Sequence, residues 1–349
     1  MTTYIIRRLV QSIVVLVLAS IFFFLLLRMS GSSECGYQST IVCRQLYSLD
    51  QPIAVQYVQW VGNILHGNFG LASDGAPVAS EIANAFPVTA LLVGVALLFQ
   101  QLIALPLGIL AAVRQYSIAD QMLTFLSYSA LSIPAFVLAM ALVYLIGVQW
   151  GLLPTAHPAS ADLPIFGTGD WFHALLRNPA LILGDTIRHL VLPASVLMVG
   201  GIAVDSRFMR GAMLQVLHED YIRTAQAKGL RPRRIILKHA VRNALLPIVT
   251  NLGIYLPTLL GGVVIVEAVF TWGGLGYLFY TATGRSQMTV MNGVLTPVFG
   301  GAGTASPDIG TLQILLLLGT AAVLLANLLA DLAYAWLDPR IRIGAKGEE

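Results

Sequence analysis

The sequence predicts an all-α polytopic membrane protein with six transmembrane helices. Three observations carry that prediction. Apolar residues make up 57% of the 349 residues and charged residues only 11%, against about 25% charged in an ordinary soluble domain. Such a chain cannot cover itself with a water-facing surface, so lipid is the expected solvent. Six stretches are long and apolar enough to cross a bilayer at about 20 residues each. Finally, fifteen of the twenty Lys and Arg residues fall on one side once the chain is threaded through those stretches.

The spans run roughly Leu9–Leu27, Val88–Val113, Met122–Val148, Leu181–Val204, Leu245–Phe270 and Leu312–Trp336. The first is too long for a cleaved signal peptide and has no small-residue cleavage site after it, so it is read as a retained span. The fourth is the weakest, with Pro193 and Gly200–Gly201 inside it. The expected organisation is an N-terminal segment with the first span (1–27), an outside segment (28–87) and a core of five spans (88–349). Within the core, a basic loop occupies about 210–245. A broken apolar segment, about 271–295, dips into or lies flat on the outer face, because lipid does not tolerate interrupted backbone.

Positive charge favours the cytoplasmic side. With both termini inside, the basic residues there are Arg7, Arg8, Arg114, the nine from Arg207 to Arg242, Arg340, Arg342 and Lys346; the reverse threading is disfavoured. Cys35 and Cys43 are the only cysteines and both fall outside, where thiols oxidise. They form a disulfide if their backbones approach closely enough, and otherwise remain two small unpaired residues.

The densest charge is "RTAQAKGLRPRRIILKHAVRNALLP", 223–247, with seven Lys or Arg and no acid. Asp220–Gly229 reads as a short helix ended by Gly229 in a left-handed conformation. Pro232 then starts a second helix that climbs into span five. Contact with anionic lipid explains the charge. It does not explain small residues and a glycine turn inside that charge, which suit a helix fitting a groove on another protein. Nucleic acid is excluded as a partner: no aromatic residues interleave the charges and no reading domain is present.

This stretch resembles the cytoplasmic signature of ABC-importer permeases, in the peptide/nickel subfamily of dipeptide and oligopeptide permease B subunits. "YIIRRLVQSIVVLVL", "LDQPIAVQYVQWVGNILHGNFG", "LSIPAFVLAM", "GLLPT", "VVIVEAVFTWGGLGYLFYTAT" and "LADLAYAWLDPRIR" resemble that family in the same order over most of the chain. The resemblance implies a type I ABC importer permease fold with cytoplasmic termini, in the bacterial inner (plasma) membrane. It implies a second permease subunit, two ATP-binding subunits, an extracellular or periplasmic substrate-binding protein and a peptide substrate. It also makes the loop a coupling helix that docks on an ATP-binding subunit through Glu219, Asp220, Arg223, Thr224, Ala225, Ala227, Lys228, Gly229, Leu230 and Arg231. Gly229 and Ala225 match the motif; Arg223 stands where the family has Glu, and Thr224 where it has Ala. Further departures are "MSGSSECGYQST" after span one, Gly273 in place of a common Pro, and 296–310, an apparent insertion.

The chain has no G-x-x-x-x-G-K-[ST] phosphate loop, so no enzymatic activity is expected of it. ATP and Mg2+ belong to partner subunits and no cofactor to this chain. No His or Cys cluster has metal-ligand spacing. "GTGD", 167–170, resembles an intramembrane protease motif, but it lies in an outer loop without a companion Asp. Ionisable residues within spans are functional suspects: Asp205 and Asp331 near cytoplasmic ends, and Glu267 near an outer end, where it lines the path or pairs with the next loop. Gln100, Gln101, Asn251, Tyr255 and Asn327 either form interhelical hydrogen bonds or line the path. The candidate path residues are Ser132, Pro134, Asn251, Tyr255 and Glu267. Nickel chelates or glutathione-like solutes are alternative cargoes. An ion-driven secondary transporter is the rival mechanism; it calls for buried charge or inverted repeats, and no convincing repeat is seen.

Overall fold

A computed structural model describes residues 2–29, 50–72, 75–284, 288–291, 294–297 and 307–337. For 2–5, 246, 247, 249–260, 288–297 and 333–337 it describes the backbone alone. Eleven helices longer than one turn lie among these residues: α1 (Thr2–Met29), α2 (Ile53–Leu65), α3 (Val78–Val113), α4 (Ile118–Ser132), α5 (Ala135–Leu142), α6 (Gly169–Arg177), α7 (Pro179–Leu217), α8 (Asp220–Ala227), α9 (Val241–Val269), α10 (Leu275–Ala282) and α11 (Ile309–Leu337). Wider π-helical turns continue α5 over Val143–Gln149 and lead into α9 over Ile235–Ala240.

Each of the six predicted spans falls on helix. Ile6–Met29, Val78–Val113, Pro179–Leu217 and Ile309–Leu332 are each long and apolar enough to cross a membrane. The third prediction, Met122–Val148, is one stretch in the sequence but two helices in the fold, meeting at 96° between Ser132 and Ala135. Pro134 explains the break. It has no N–H to continue the ladder, and it drives the preceding Ile133 to extended backbone, φ −93° and ψ 118°.

Two helices outrun their predicted spans by ten residues or more. α3 begins ten residues before Val88, inside the predicted outer segment. α7 extends past Val204 to Leu217, giving 39 residues and about 58 Å at 1.5 Å per residue, well beyond a hydrocarbon core of about 30 Å. The extension is amphipathic: Asp205, Met209 and Met213, four residues apart, are all buried. Pro193 and Gly200–Gly201 do not interrupt it.

The α3–α7 seam is the most extensive helix pairing in the molecule. In lipid there is no hydrophobic drive between helices, so close packing and hydrogen bonds must hold them. α3 supplies a row at four-residue spacing, Ala96, Gln100, Ala104, Gly108 and Ala112, all buried. A Cβ on Gly108 would meet the Ser206 carbonyl and Met209 Cβ; one on Gly201 would overlap the Gln100 amide. Gln100 and Gln101 both donate through Nε2 to Asp205 Oδ2. Buried residues of α3, α5, α7 and α9 close the central core with Phe270 and Trp272.

α1 stands largely apart, packing on α11 and α2. Arg8 Nε pairs with Asp331 at 3.2 Å, and Phe24 is buried beneath Tyr57 and Trp60. The two ends of the bundle differ in charge. The end carrying 114–120 and 218–234 is the basic end.

Among the described residues, a two-stranded hairpin departs from all-helical structure. Met288–Met291 pairs antiparallel with Val294–Pro297, Met291 opposite Val294. The sequence signal is Asn292-Gly293 between them, the dipeptide favoured in two-residue hairpins. Cys35 and Cys43 lie outside the described residues, as does most of 296–310.

Replacing Gly108 by Leu forces the seam apart. Overpacking of this kind costs about 1–3 kcal/mol. The Gly108→Leu protein is expected to melt several degrees below wild type in detergent by scanning fluorimetry, whereas Gly94→Leu, at a position with no atom near its Cβ, should not.

Candidate coupling site and translocation path

The basic stretch folds as the residue types dictate. α8 starts after Glu219, which has extended backbone and no side-chain cap. It ends in a left-handed glycine turn: Gly229 has φ +72°, a region where a Cβ is unfavourable. The Gly229 N–H donates to Gln226 O at 2.9 Å and the Leu230 N–H to Ala225 O at 3.3 Å. These are the two bonds of a Schellman C-cap. Pro232 then opens the single turn Pro232–Arg234 that runs into α9.

α8 is two-faced. Ile222 is fully buried and Ala225 nearly so. They pack into one apolar cluster with Ala112 of α3, Met209 and Met213 of α7, and Ile235, Ala240, Ala244 and Ile248 before and within α9; Leu230 packs against it. The short helix therefore joins the apolar cluster that takes in the ends of three long helices, with the turn Ile235–Ala240 packed beside it. Tyr221 adds a polar tie, its hydroxyl accepting from Asn243 Nδ2 at 2.8 Å. Glu219, Asp220, Arg223, Thr224, Ala227, Lys228, Gly229 and Arg231 are exposed together on the outer face. A Cβ on Gly229 would meet nothing within 4 Å. Ala225 and Leu230 were expected on the docking face; the structure instead turns them inward as packing residues. Ile222 was missed as the anchor, although its position three residues before Ala225 is the spacing of one helix face.

A second fixture sits at the same end. Arg210 of α7 reaches Asp120 in the first turn of α4 with both fork positions, Nε to Oδ1 at 2.6 Å and a terminal nitrogen to Oδ2 at 2.8 Å. Asp120 Oδ2 also accepts the Tyr116 N–H at 3.0 Å. Ser117 caps α4 by accepting from the Asp120 N–H. Bidentate pairs of this kind fix geometry as well as adding energy. Arg207 stacks over Tyr128, 4.2 Å from the ring centroid. Between these residues and Thr124 lies an open cleft of about 610 Å3.

Of the five candidate path residues, the structure describes the side chains of Ser132, Pro134 and Glu267. Ser132 and Pro134 lie exposed at the α4–α5 break, with the Ser132 hydroxyl donating to Tyr128 O at 2.8 Å. Asn251 and Tyr255 lie on α9, their side chains outside the described residues. Glu267 is wholly enclosed. Of the two roles open to it in the sequence, the structure gives pairing with the following segment. Its Oε1 accepts from Thr89 Oγ1 at 2.6 Å and its Oε2 from the Tyr277 N–H at 2.9 Å. Thr89 Oγ1 in turn accepts the Leu275 N–H at 2.7 Å, and Trp272 Nε1 donates to Val88 O at 3.2 Å. One carboxylate thus ties α3, α9 and the start of α10. Gly274 is what lets it approach, because a Cβ there would strike Thr89 Oγ1 and Glu267.

Asn327 and Asp331 line a cleft with Arg8, Gln11 and Ser12 between α1 and α11. Among the described residues, no group of three or more His, Cys, Asp or Glu side chains is placed to hold a metal.

Glu267→Leu leaves buried donors unsatisfied, a cost of about 1–3 kcal/mol for each. That variant is expected to lose much of its thermal stability in detergent, while Glu267→Gln, which keeps one accepting oxygen, should lose less. Equal melting of the two would show that the carboxylate does not hold this junction.

Comparison with known proteins agrees with these features. Residues 104–343 match the family "Binding-protein-dependent transport system inner membrane component", and residues 1–93 match its N-terminal companion. The chain is 33% identical to the oligopeptide transport system permease protein AppB of Bacillus subtilis strain 168, over 98% of this chain and 99% of that protein. It is 35% identical to the dipeptide transport system permease protein DppB of Escherichia coli K12, over 84% and 82%. It is 33% identical to the oligopeptide transport system permease protein OppB of Mycobacterium bovis, over 98% and 100%. The chain belongs to the family of inner-membrane permease components of binding-protein-dependent transport systems, and is a multi-pass protein of the bacterial cell membrane.

Proposed function

We propose that this chain is one transmembrane subunit of an ATP-driven importer for dipeptides or oligopeptides. It forms half of the translocation path beside a second permease subunit. An extracellular binding protein delivers the peptide, and two ATP-binding subunits carry ATP and Mg2+. The cargo class is that of the peptide permeases that the chain resembles along nearly its whole length.

The observation that carries the coupling reading is the two-faced geometry of 219–231. Its outer face offers charge, small side chains and a glycine turn to a partner. Its inner face is buried in an apolar cluster that also takes in residues of α3, α7 and α9. Interiors packed this way transmit displacement rather than absorbing it. In the mechanism we propose, ATP-driven closure of the docked subunits moves α8, and α7 and α9 follow because Ile222 and Ala225 cannot separate from them cheaply. The basic end faces the cytoplasm in this reading, as the charge asymmetry favours, and the path alternates its opening between the two sides.

Gly229 gives a test that separates docking from folding. Any side chain at φ +72° carries about 1–2 kcal/mol of backbone strain, so Gly229→Ala serves as the strain control and Gly229→Trp adds bulk on the docking face. In proteoliposomes containing the full assembly, Gly229→Trp is expected to lose most peptide uptake while ATP hydrolysis no longer responds to the loaded binding protein. Gly229→Ala should retain most of both. Uptake by Gly229→Trp at the rate of the Ala variant would remove the docking role.

A further inference from the structure

α6, Gly169–Arg177, leads into α7, whose far end reaches the basic end at Leu217; α6 therefore belongs to the opposite end of the bundle. Thr168 caps α6, its Oγ1 accepting the Trp171 N–H at 3.2 Å. Asn178 separates the two helices and caps α7 by accepting the Leu181 N–H at 3.3 Å. α6 then packs on α7, with Trp171 Nε1 donating to Thr186 Oγ1 at 3.3 Å. Thr186 lies inside the apolar stretch 181–204 of a helix long and apolar enough to cross a membrane. Trp171 thus stands level with the first turns of that span.

At about 100° per residue, the side chains of α6 fall into three sectors. Trp171, Ala174 and Leu175 make the first; Trp171 is buried and the other two are half-buried. Asp170, His173 and Arg177 make the second, polar and exposed. Phe172 and Leu176, four residues apart and so on one face, make the third, and they are 53% and 84% exposed. A helix on a protein surface in water needs only the first two, one face for its support and one for the solvent. The third sector calls for another medium, and α7 carries the same feature onward. Leu183, Ile187 and Val191, at four-residue spacing, form an exposed apolar stripe. By helical angle that stripe runs beside the sector of α7 that receives Trp171. Ile165, just before α6, is exposed as well.

The open apolar surface of α6 therefore lies next to that of a membrane-crossing helix and at the level of its first turns. An apolar sector at the acyl boundary, with a polar sector turned from it, is the pattern of a helix held at a bilayer interface. We propose that Phe172 and Leu176 insert into the lipid, so that α6 anchors this end of the bundle in its leaflet. The inference is independent of the transport reading. It requires only that the chain is embedded in a membrane.

The test is spin-label accessibility in the full assembly, reconstituted in phosphatidylethanolamine–phosphatidylglycerol nanodiscs. Phe172→Cys, Leu176→Cys and His173→Cys are labelled in turn with a nitroxide, in a chain carrying Cys35→Ser and Cys43→Ser. Power saturation then compares collisions with oxygen, which concentrates in lipid, and with a water-soluble nickel chelate. The oxygen-to-nickel ratio is expected to be severalfold higher at 172 and 176 than at 173. A cross-linking measurement keeps the native cysteines: p-benzoylphenylalanine placed at position 176 is expected to label phospholipid, read by mass spectrometry. Melting curves identify any variant that misfolds. Nickel access at 172 and 176 equal to that at 173 puts the sector in water and overturns the anchor. Exclusion of both reagents, or cross-linking to another chain of the assembly, shows that protein covers the sector and overturns it equally.

Discussion

The seam between α3 and α7 is the constraint on which the rest of the structure depends. Two helices in lipid gain nothing from hiding apolar surface from each other, so they must gain from proximity. The row Ala96, Gln100, Ala104, Gly108 and Ala112 gives that proximity, and Gly201 gives it from the other side. Close approach then makes the polar contact possible. Gln100 and Gln101 are adjacent in sequence and so point about 100° apart on the helix, yet both reach one carboxylate oxygen of Asp205. That arrangement is satisfied at a single rotation of α3 against α7. Packing sets the distance between the helices and the carboxylate sets their register.

The half of α7 beyond Asp205 inherits this rigidity. The helix continues three turns past Asp205, carrying Met209, Arg210 and Met213 to the basic end. There the Arg210–Asp120 fork fixes the start of α4, and the two methionines share an apolar cluster with Ile222 and Ala225. The eight-residue α8 is too brief to be stable alone, because isolated helices below about 12 residues are marginal in water. It is helical because the ends of longer helices give its apolar face somewhere to go. A segment stabilised in this way moves with its support, and the support moves with it.

The sequence revealed the long apolar helices readily and their partnerships poorly. Apolar runs need no knowledge of neighbours, so all six stretches were legible, as was the helix–glycine–helix grammar of 220–234. Three local signals were present but underweighted. Pro134 marks the α4–α5 break, Asn292-Gly293 marks the hairpin, and the four-residue spacing of Asp205, Met209 and Met213 marks the extension of α7. The extension was lost because a hydropathy reading stops at the first charge, although a charge with a partner on the next helix does not end a helix. Glu267 was beyond reach for another reason. Its partner Thr89 lies 178 residues away, and Arg210 lies 90 residues from Asp120. One sequence has periodicity along the chain but no record of which faces meet.

The ionisable groups of the described bundle form a pattern that no single residue reveals. Asp331 has Arg8, Asp120 has Arg210, and Glu267 has a threonine and a backbone N–H. Each of these ties a long helix to a neighbour near one end of the bundle. Asp205 alone is held by two neutral amides, inside the seam rather than at its end, and no ion pair to it is found among the described residues. Desolvating a carboxylate without a counter-charge is expensive, so the amide pair must hold its geometry closely for the seam to remain closed. Ion pairs fasten Asp331 and Asp120, while the enclosed carboxylates of Asp205 and Glu267 are held by neutral donors. A motion that hinges the ends while the α3–α7 seam stays shut disturbs the fewest of these contacts.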